Sequence, residues 1–155
     1  MQFFAHEDVE APVDFVFAEV SNFPALERAA LRRGVDVQRT DNMSQTDIGM
    51  TWAASYELRR TKMSMALELT RFEPPNALVI EGDSATLGGL ITLDVLALSR
   101  MRTRISLKVD VHASTLPARL FLQSFKLARV HPGVTFKRKA ASFAAGIEER
   151  YKSKA

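Results

Sequence analysis

Cysteine is absent from this chain of 155 residues. That excludes a disulfide framework, a thiol nucleophile and any thiolate metal site, and it fits a protein of a reducing compartment such as the cytosol. Histidine is scarce. His6, His112 and His131 are the only three; no pair has metal-ligand spacing, and none stands beside an evident nucleophile or carboxylate partner. Long apolar runs are missing too, and none approaches the ~20 residues of a membrane span. The opening MQFFAHEDVEAP has no basic stretch followed by an apolar one, so it does not read as a signal peptide. Phosphate-binding glycine motifs are lacking: Gly88-Gly89 has neither a GxxxxGKS/T nor a GxGxxG frame and precedes a strand pattern, which makes it a turn. Nothing in these residues requires a metal or a cofactor.

What is there suits a single soluble domain spanning 1–155. With 46% hydrophobic and 25% charged residues, a chain of this length buries roughly 70% of the surface its unfolded form exposes. The last few residues are expected to be disordered. The net charge of +3 hides an asymmetry: residues 1–116 carry 12 Lys/Arg against 16 Asp/Glu, and residues 117–155 carry 9 against 2. The basic character belongs to the C-terminal segment.

Periodicity divides the chain into elements. Residues 3–9, FFAHEDV, alternate as a first strand. APVDFVFAEVSNF repeats at helical spacing, with Val13, Phe17 and Val20 on one face and Pro12 near the first turn. Pro24 breaks it, ALERAALRR forms a second short helix, and Gly34 caps that helix. From Val35 the period becomes two. VDVQRT is a short strand; TWAASYELRR places Trp52, Ala54, Tyr56 and Leu58 on one face; MSMALELTRF gathers Met63, Met65, Leu67 and Leu69. A Pro74-Pro75 turn, ALVIEG, LGGLITLDVLALS and RTRISLKVDVHA follow, the last alternating Ile105, Leu107, Val109 and Val111 against polar residues. Such runs joined by short turns imply an antiparallel meander with one apolar face.

After Pro117 an apolar stripe runs through Phe121, Phe125, Ala128, Pro132, Phe136, Ala140, Phe143, Ile147 and Tyr151 in steps of three and four. His131-Pro132-Gly133 interrupts it chemically without shifting its register. The pattern describes one long C-terminal helix that is kinked or interrupted near 130–134.

The order strand, two short helices, six strands and a long helix resembles the helix-grip fold of the START/SRPBCC superfamily, which includes lipid-transfer domains, pollen-allergen-like proteins, polyketide cyclases and members associated with carbon monoxide dehydrogenase. VEAPVDFVFAEVSNFPAL is similar to the family's strand-to-helix opening, with Phe17 closing one end of the core. TRFEPPNALVIEG is similar to its acidic-Pro-Pro turn. The resemblance implies an α+β fold, a curved antiparallel sheet of about seven strands around the C-terminal helix, with an apolar cavity between them. The family shares no catalytic motif, so none is carried over.

The candidate lining is Trp52, Tyr56, Met63, Met65, Leu67, Arg71, Ile105, Leu107 and Val109 from the strands, with Phe121, Phe125, Phe136 and Phe143 from the helix. A packed core is the plainer role for any one of them. Arg71, in register with Met65 and Leu69, would be the polar anchor, and Tyr56 and Asp94 are the other inward ionisable candidates. Lys137, Arg138 and Lys139 flank the stripe as a solvated outer face, or meet an anionic membrane surface or acidic protein; no base-reading motif accompanies them, so nucleic acid is not expected. Three functions stand open: binding or transport of an apolar small molecule (lipid, quinone or polyketide-like), a cyclase/dehydratase-type enzyme using the same cavity, and a non-catalytic interaction or assembly module. The absence of a catalytic constellation leans towards binding.

Overall fold

The computed structural model describes residues 1–58, 60–127 and 132–154, with backbone alone at 58 and 125–127. Strand β1 (Gln2–Val9) leads to helices α1 (Val13–Val20) and α2 (Phe23–Arg32). Six strands follow: β2 (Asp36–Arg39), β3 (Thr51–Leu58), β4 (Thr61–Glu73), β5 (Ala77–Asp83), β6 (Leu87–Ser99) and β7 (Arg102–Ala113). Helices α3 (Leu116–Leu127) and α4 (Pro132–Lys154) complete the chain. The strands form one seven-stranded sheet in the order β1-β7-β6-β5-β4-β3-β2, all pairs antiparallel. Strands β2 to β7 are thus a simple meander, and α1 and α2 carry the chain from one sheet edge to the other. The architecture is the helix-grip α+β fold.

Local chemistry accounts for the boundaries. Pro24 does not break the first helix as its sequence position suggests; it sits in the first turn of α2, where its missing N–H has no partner to lose. The break falls at Ser21-Asn22, and Asn22 Oδ1 accepts a hydrogen bond from the Ala25 N–H at 3.3 Å. Gly34, at φ +88°, supplies the left-handed residue that lets the chain leave α2. Gly88 and Gly89 are not a turn: they lie inside β6, paired with His112 and Val111. A Cβ at Gly88 would fall 2.3 Å from the exposed His112 ring, which lies over the glycine and would have to swing aside for any larger residue.

Pro132 is the first residue of α4, and the kink or interruption expected near 130–134 falls partly outside the described residues. The linking residues 128–131, which include Ala128 and His131, lie outside those described. At its other end α4 runs on to Lys154.

The packed core occupies one end of the molecule. Val16, Phe17 and Val20 of α1 and Phe23 of α2 pack with Trp52, Leu69, Leu78 and Val95 of the sheet and Ile147 of α4. Phe17, as expected, closes this end, its ring centroid 5.6 Å from that of Phe72. Thr103, fully buried, donates to the Ala11 carbonyl at 2.8 Å and ties β7 to the turn into α1. Helix α4 lies along β1, from Phe136 beside Phe3 (5.6 Å) to Tyr151 beside Phe15 (4.9 Å).

One carboxylate gathers several of the hydrogen bonds that order the long β2–β3 connection. Asp41 accepts from Arg39 Nε at 2.8 Å and from the backbone N–H groups of Thr51 (2.8 Å) and Met43 (2.9 Å), and its side chain is 8% exposed. The Arg39 hydrogen bonds first, then the Thr51 N–H, hold its carboxyl far below the usual range despite the cost of burial. Because the folded pKa lies below the unfolded one, this stabilisation is present at neutral pH and lost as pH falls below about 5. Asp41→Asn is therefore expected to lower stability at pH 7 in urea titrations, and the gap from wild type should narrow steadily as the pH is taken below 5. A gap independent of pH would refute the assignment.

Candidate ligand cavity

Which side chains face inward follows from strand parity, counted from the register. On β1 the inner residues are Phe3, Ala5, Glu7 and Val9, opposite Val109, Leu107, Ile105 and Thr103 of β7. On β6 they are Ile91, Leu93 and Val95, opposite Val109, Leu107 and Ile105. On β3 and β4 Trp52, Ala54 and Tyr56 face inward opposite Leu67, Met65 and Met63.

Between β1, β7 and β6 on one side and α4 on the other lies an apolar cavity of about 290 Å³. Its sheet wall is Ala5, Leu93, Ile105 and Leu107, its helix wall Phe136, Ala140, Phe143 and Ala144, and Glu7 and Lys139 also border it. The cause is side-chain size. Where α4 presents Ala140 and Ala144 and β1 presents Ala5, the methyl groups do not bridge the gap that Ile147 fills one turn further on. The volume sits at the lower end of small-molecule sites, roughly 300–1,000 Å³. A larger groove of about 640 Å³ lies on the opposite, outer side of the sheet, but Glu68, Thr70, Glu81, Asp83 and His112 make it polar and open.

Of the residues expected to line a site, Ile105, Leu107, Phe136 and Phe143 come together here. Val109 is on the same inner face, half-buried beside Phe3 and Ile91. Tyr56, Met63, Met65 and Leu67 also face inward, but on β3 and β4, away from this cavity; Met65 Sδ lies over Gly82, leaving no room there for a side chain. Phe121 is half-buried on α3, and the Phe125 side chain lies outside the described residues. Trp52 is core rather than lining: it is 4% exposed, with Phe23 against its ring at 5.1 Å and the Arg39 guanidinium over it at 5.9 Å.

Arg71 is not an inward anchor. A β-bulge between Leu69 and Arg71 adds a residue to β4 and reverses its parity, so Phe72 turns inward and Arg71 outward. Its side chain is exposed and donates to Glu73 at 2.7 Å, and that hydrogen bond draws its pKa up and that of Glu73 down. Asp94, opposite Ser106 and Ala77, is likewise on the outer face and exposed. His6 and His112 are exposed there as well.

Glu7 is the ionisable residue that the sequence reading overlooked. The alternation Phe3, Ala5, Glu7, Val9 carried the signal, since Glu7 shares parity with apolar neighbours. Lys139 differs from its neighbours Lys137 and Arg138: all three are exposed, but Lys139 borders the cavity instead of only decorating the outside.

The same fold is seen in solved structures. TTHA0849 from Thermus thermophilus superposes with a TM-score of 0.67 at 13% identity, covering 100% of this chain and 99% of that one. The Zhui aromatase/cyclase from Streptomyces sp. R1128 gives 0.67 at 13% identity over 97% of this chain and 94% of that one. Norcoclaurine synthase from Thalictrum flavum, solved with dopamine and hydroxybenzaldehyde, gives 0.65 at 9% identity over 96% and 87%. Members of the START/SRPBCC superfamily are thus among the structural neighbours, and the likeness is one of fold. No family model matches the chain, and no curated protein matches it in sequence.

The division between core and cavity has a measurable consequence. Trp52→Ala is expected to cost about 3–5 kcal/mol in denaturant unfolding. Phe143→Ala, whose ring is 37% exposed at the cavity rim, should cost about 1 kcal/mol or less. Equal losses would mean that the cavity side is packed as tightly as the core.

Proposed function

We propose that the chain binds a small apolar molecule in the space between β1, β7, β6 and α4. The observation that carries this reading is the cavity itself: about 290 Å³, open on one side and lined mainly by aliphatic and aromatic side chains, positioned between sheet and long helix. Burial of apolar ligand surface is worth roughly 25 cal/mol per Å² before ordering costs, enough for useful affinity from one short chain or ring system. Neighbours that share the fold include an aromatase/cyclase and a synthase held with two aromatic compounds, which is in keeping with a small organic ligand.

Glu7 favours a second reading, a cyclase-type enzyme. A carboxylate bordering an apolar cavity that orients a flexible substrate could move a proton there, with positioning supplying most of the rate. The cavity contains no further acid–base partner beyond Lys139 among the described residues, so binding is the reading adopted.

The test is to fill the cavity. Ala140→Phe places a ring into the space while leaving the packed end around Ile147 intact. Wild type is expected to take up an apolar fluorescent probe and to yield organic-extractable material by mass spectrometry after native purification. The variant should lose both at near wild-type melting temperature. Uptake unaffected by the substitution would place the ligand elsewhere or nowhere.

A further inference from the structure

Beside the cavity, on the far side of Phe143, lies a second space of about 530 Å³ between α2 and α4. Phe143 and Lys139 border both. The second space has a different character. Arg32 and Arg33 border it from the end of α2 and Lys139 and Arg150 from α4; Glu19 is the one carboxylate on its lining. Arg138 adjoins it, grouped with Arg33, Lys139 and Ser142. Arg150 is committed to Glu19, to which it donates at 2.9 Å. Arg32, Arg33, Arg138 and Lys139 make no ion pair among the described residues.

We infer that the ligand is an anionic amphiphile, its apolar part in the cavity under α4 and its acid group in the basic groove between α2 and α4. This rests on the cavity being a ligand site. The charges set the orientation. Glu7 borders the cavity and repels an acid group seated there, whereas the groove gathers cations that lack ion-pair partners among the described residues. Carboxylates and phosphates both accept charge-assisted hydrogen bonds from guanidinium and ammonium groups. Phe143, exposed at the rim, stands where tail and head would join.

The test compares three ten-carbon probes on the full chain by calorimetry, below their aggregation concentrations: decanol, decanoate and decyl phosphate. At least one anion is expected to bind about tenfold more tightly than decanol, with a preference that weakens as salt is raised. The ratio of decanoate to decyl phosphate then names the acid group. The combined variant Arg32→Gln, Arg33→Gln, Arg138→Gln, none of which borders the cavity, should lose most of the preference while binding decanol as before. Decanol binding as tightly as both anions would overturn the inference and leave the cavity reading standing. So would a variant that keeps the anion preference. Failure of all three probes to bind would overturn both.

Discussion

One helix cannot fill the inner face of a seven-stranded sheet, and the rest of the molecule follows from that constraint. An α-helix with its side chains is about 10–12 Å across, and α4 lies along β1 at the sheet edge. The chain responds differently at its two ends. At one, α1 and α2 bring Val16, Phe17, Val20 and Phe23 into the space, and with Ile147 and Trp52 they make a solid core. At the other, α4 offers Ala140 and Ala144 opposite Ala5, and the cavity remains. Stability and the proposed binding are therefore weighted towards different parts of one helix, Ile147 against Phe143, while Leu93, Ile105 and Ala144 belong to both the buried cluster and the cavity wall.

That division limits how the cavity can be tuned. A sheet of paired backbone holds Ile105, Leu107 and Leu93 rigidly through neighbours on both sides. Helix α4 is tied by polar contacts at its C-terminal end: Glu148 Oε1 accepts from the Glu10 N–H at 2.7 Å, and Arg150 donates to Glu19. Both lie close to the packed core. The cavity is thus framed by a fixed wall and a helix anchored beyond it, which favours a preformed site over one assembled by the ligand.

Much of the fold was legible from alternation. β6 and β7 begin and end where their period-two patterns do, and the inner faces of β3 and β4 gather Trp52, Tyr56, Met63, Met65 and Leu67 as their spacing implies. The failures were local. Arg71 shares parity with Leu69 in the sequence, but parity is a count, and a bulge inserts one into it. Pro24 looked like a stop because proline cannot sit within a helix, yet at a first turn the same missing N–H costs nothing. Glu7 has the inward parity of Phe3, Ala5 and Val9 although its charge is typical of an outer position. Ile105, Leu107, Phe136 and Phe143 of the cavity wall, and Ala140 between the last two, were legible in the periodic pattern, while the space that Ala5, Ala140 and Ala144 leave between them was not. A void is made by atoms that are missing, and a periodic pattern records the ones present.

Hydrophobic spacing and turn chemistry are local properties, each carried by residues within a few positions of one another. They were sufficient for the seven strands, the capping of α2 and the apolar stripe of α4. Distances between segments far apart in the chain are another matter. Whether Ala5 faces Ala144 across a gap, whether Phe23 covers Trp52, and whether Arg33 and Lys139 border one groove depend on how the packed layers settle against each other. Those contacts are set by the shapes of all the intervening side chains at once, and so they emerge only when the helix has been laid on the sheet.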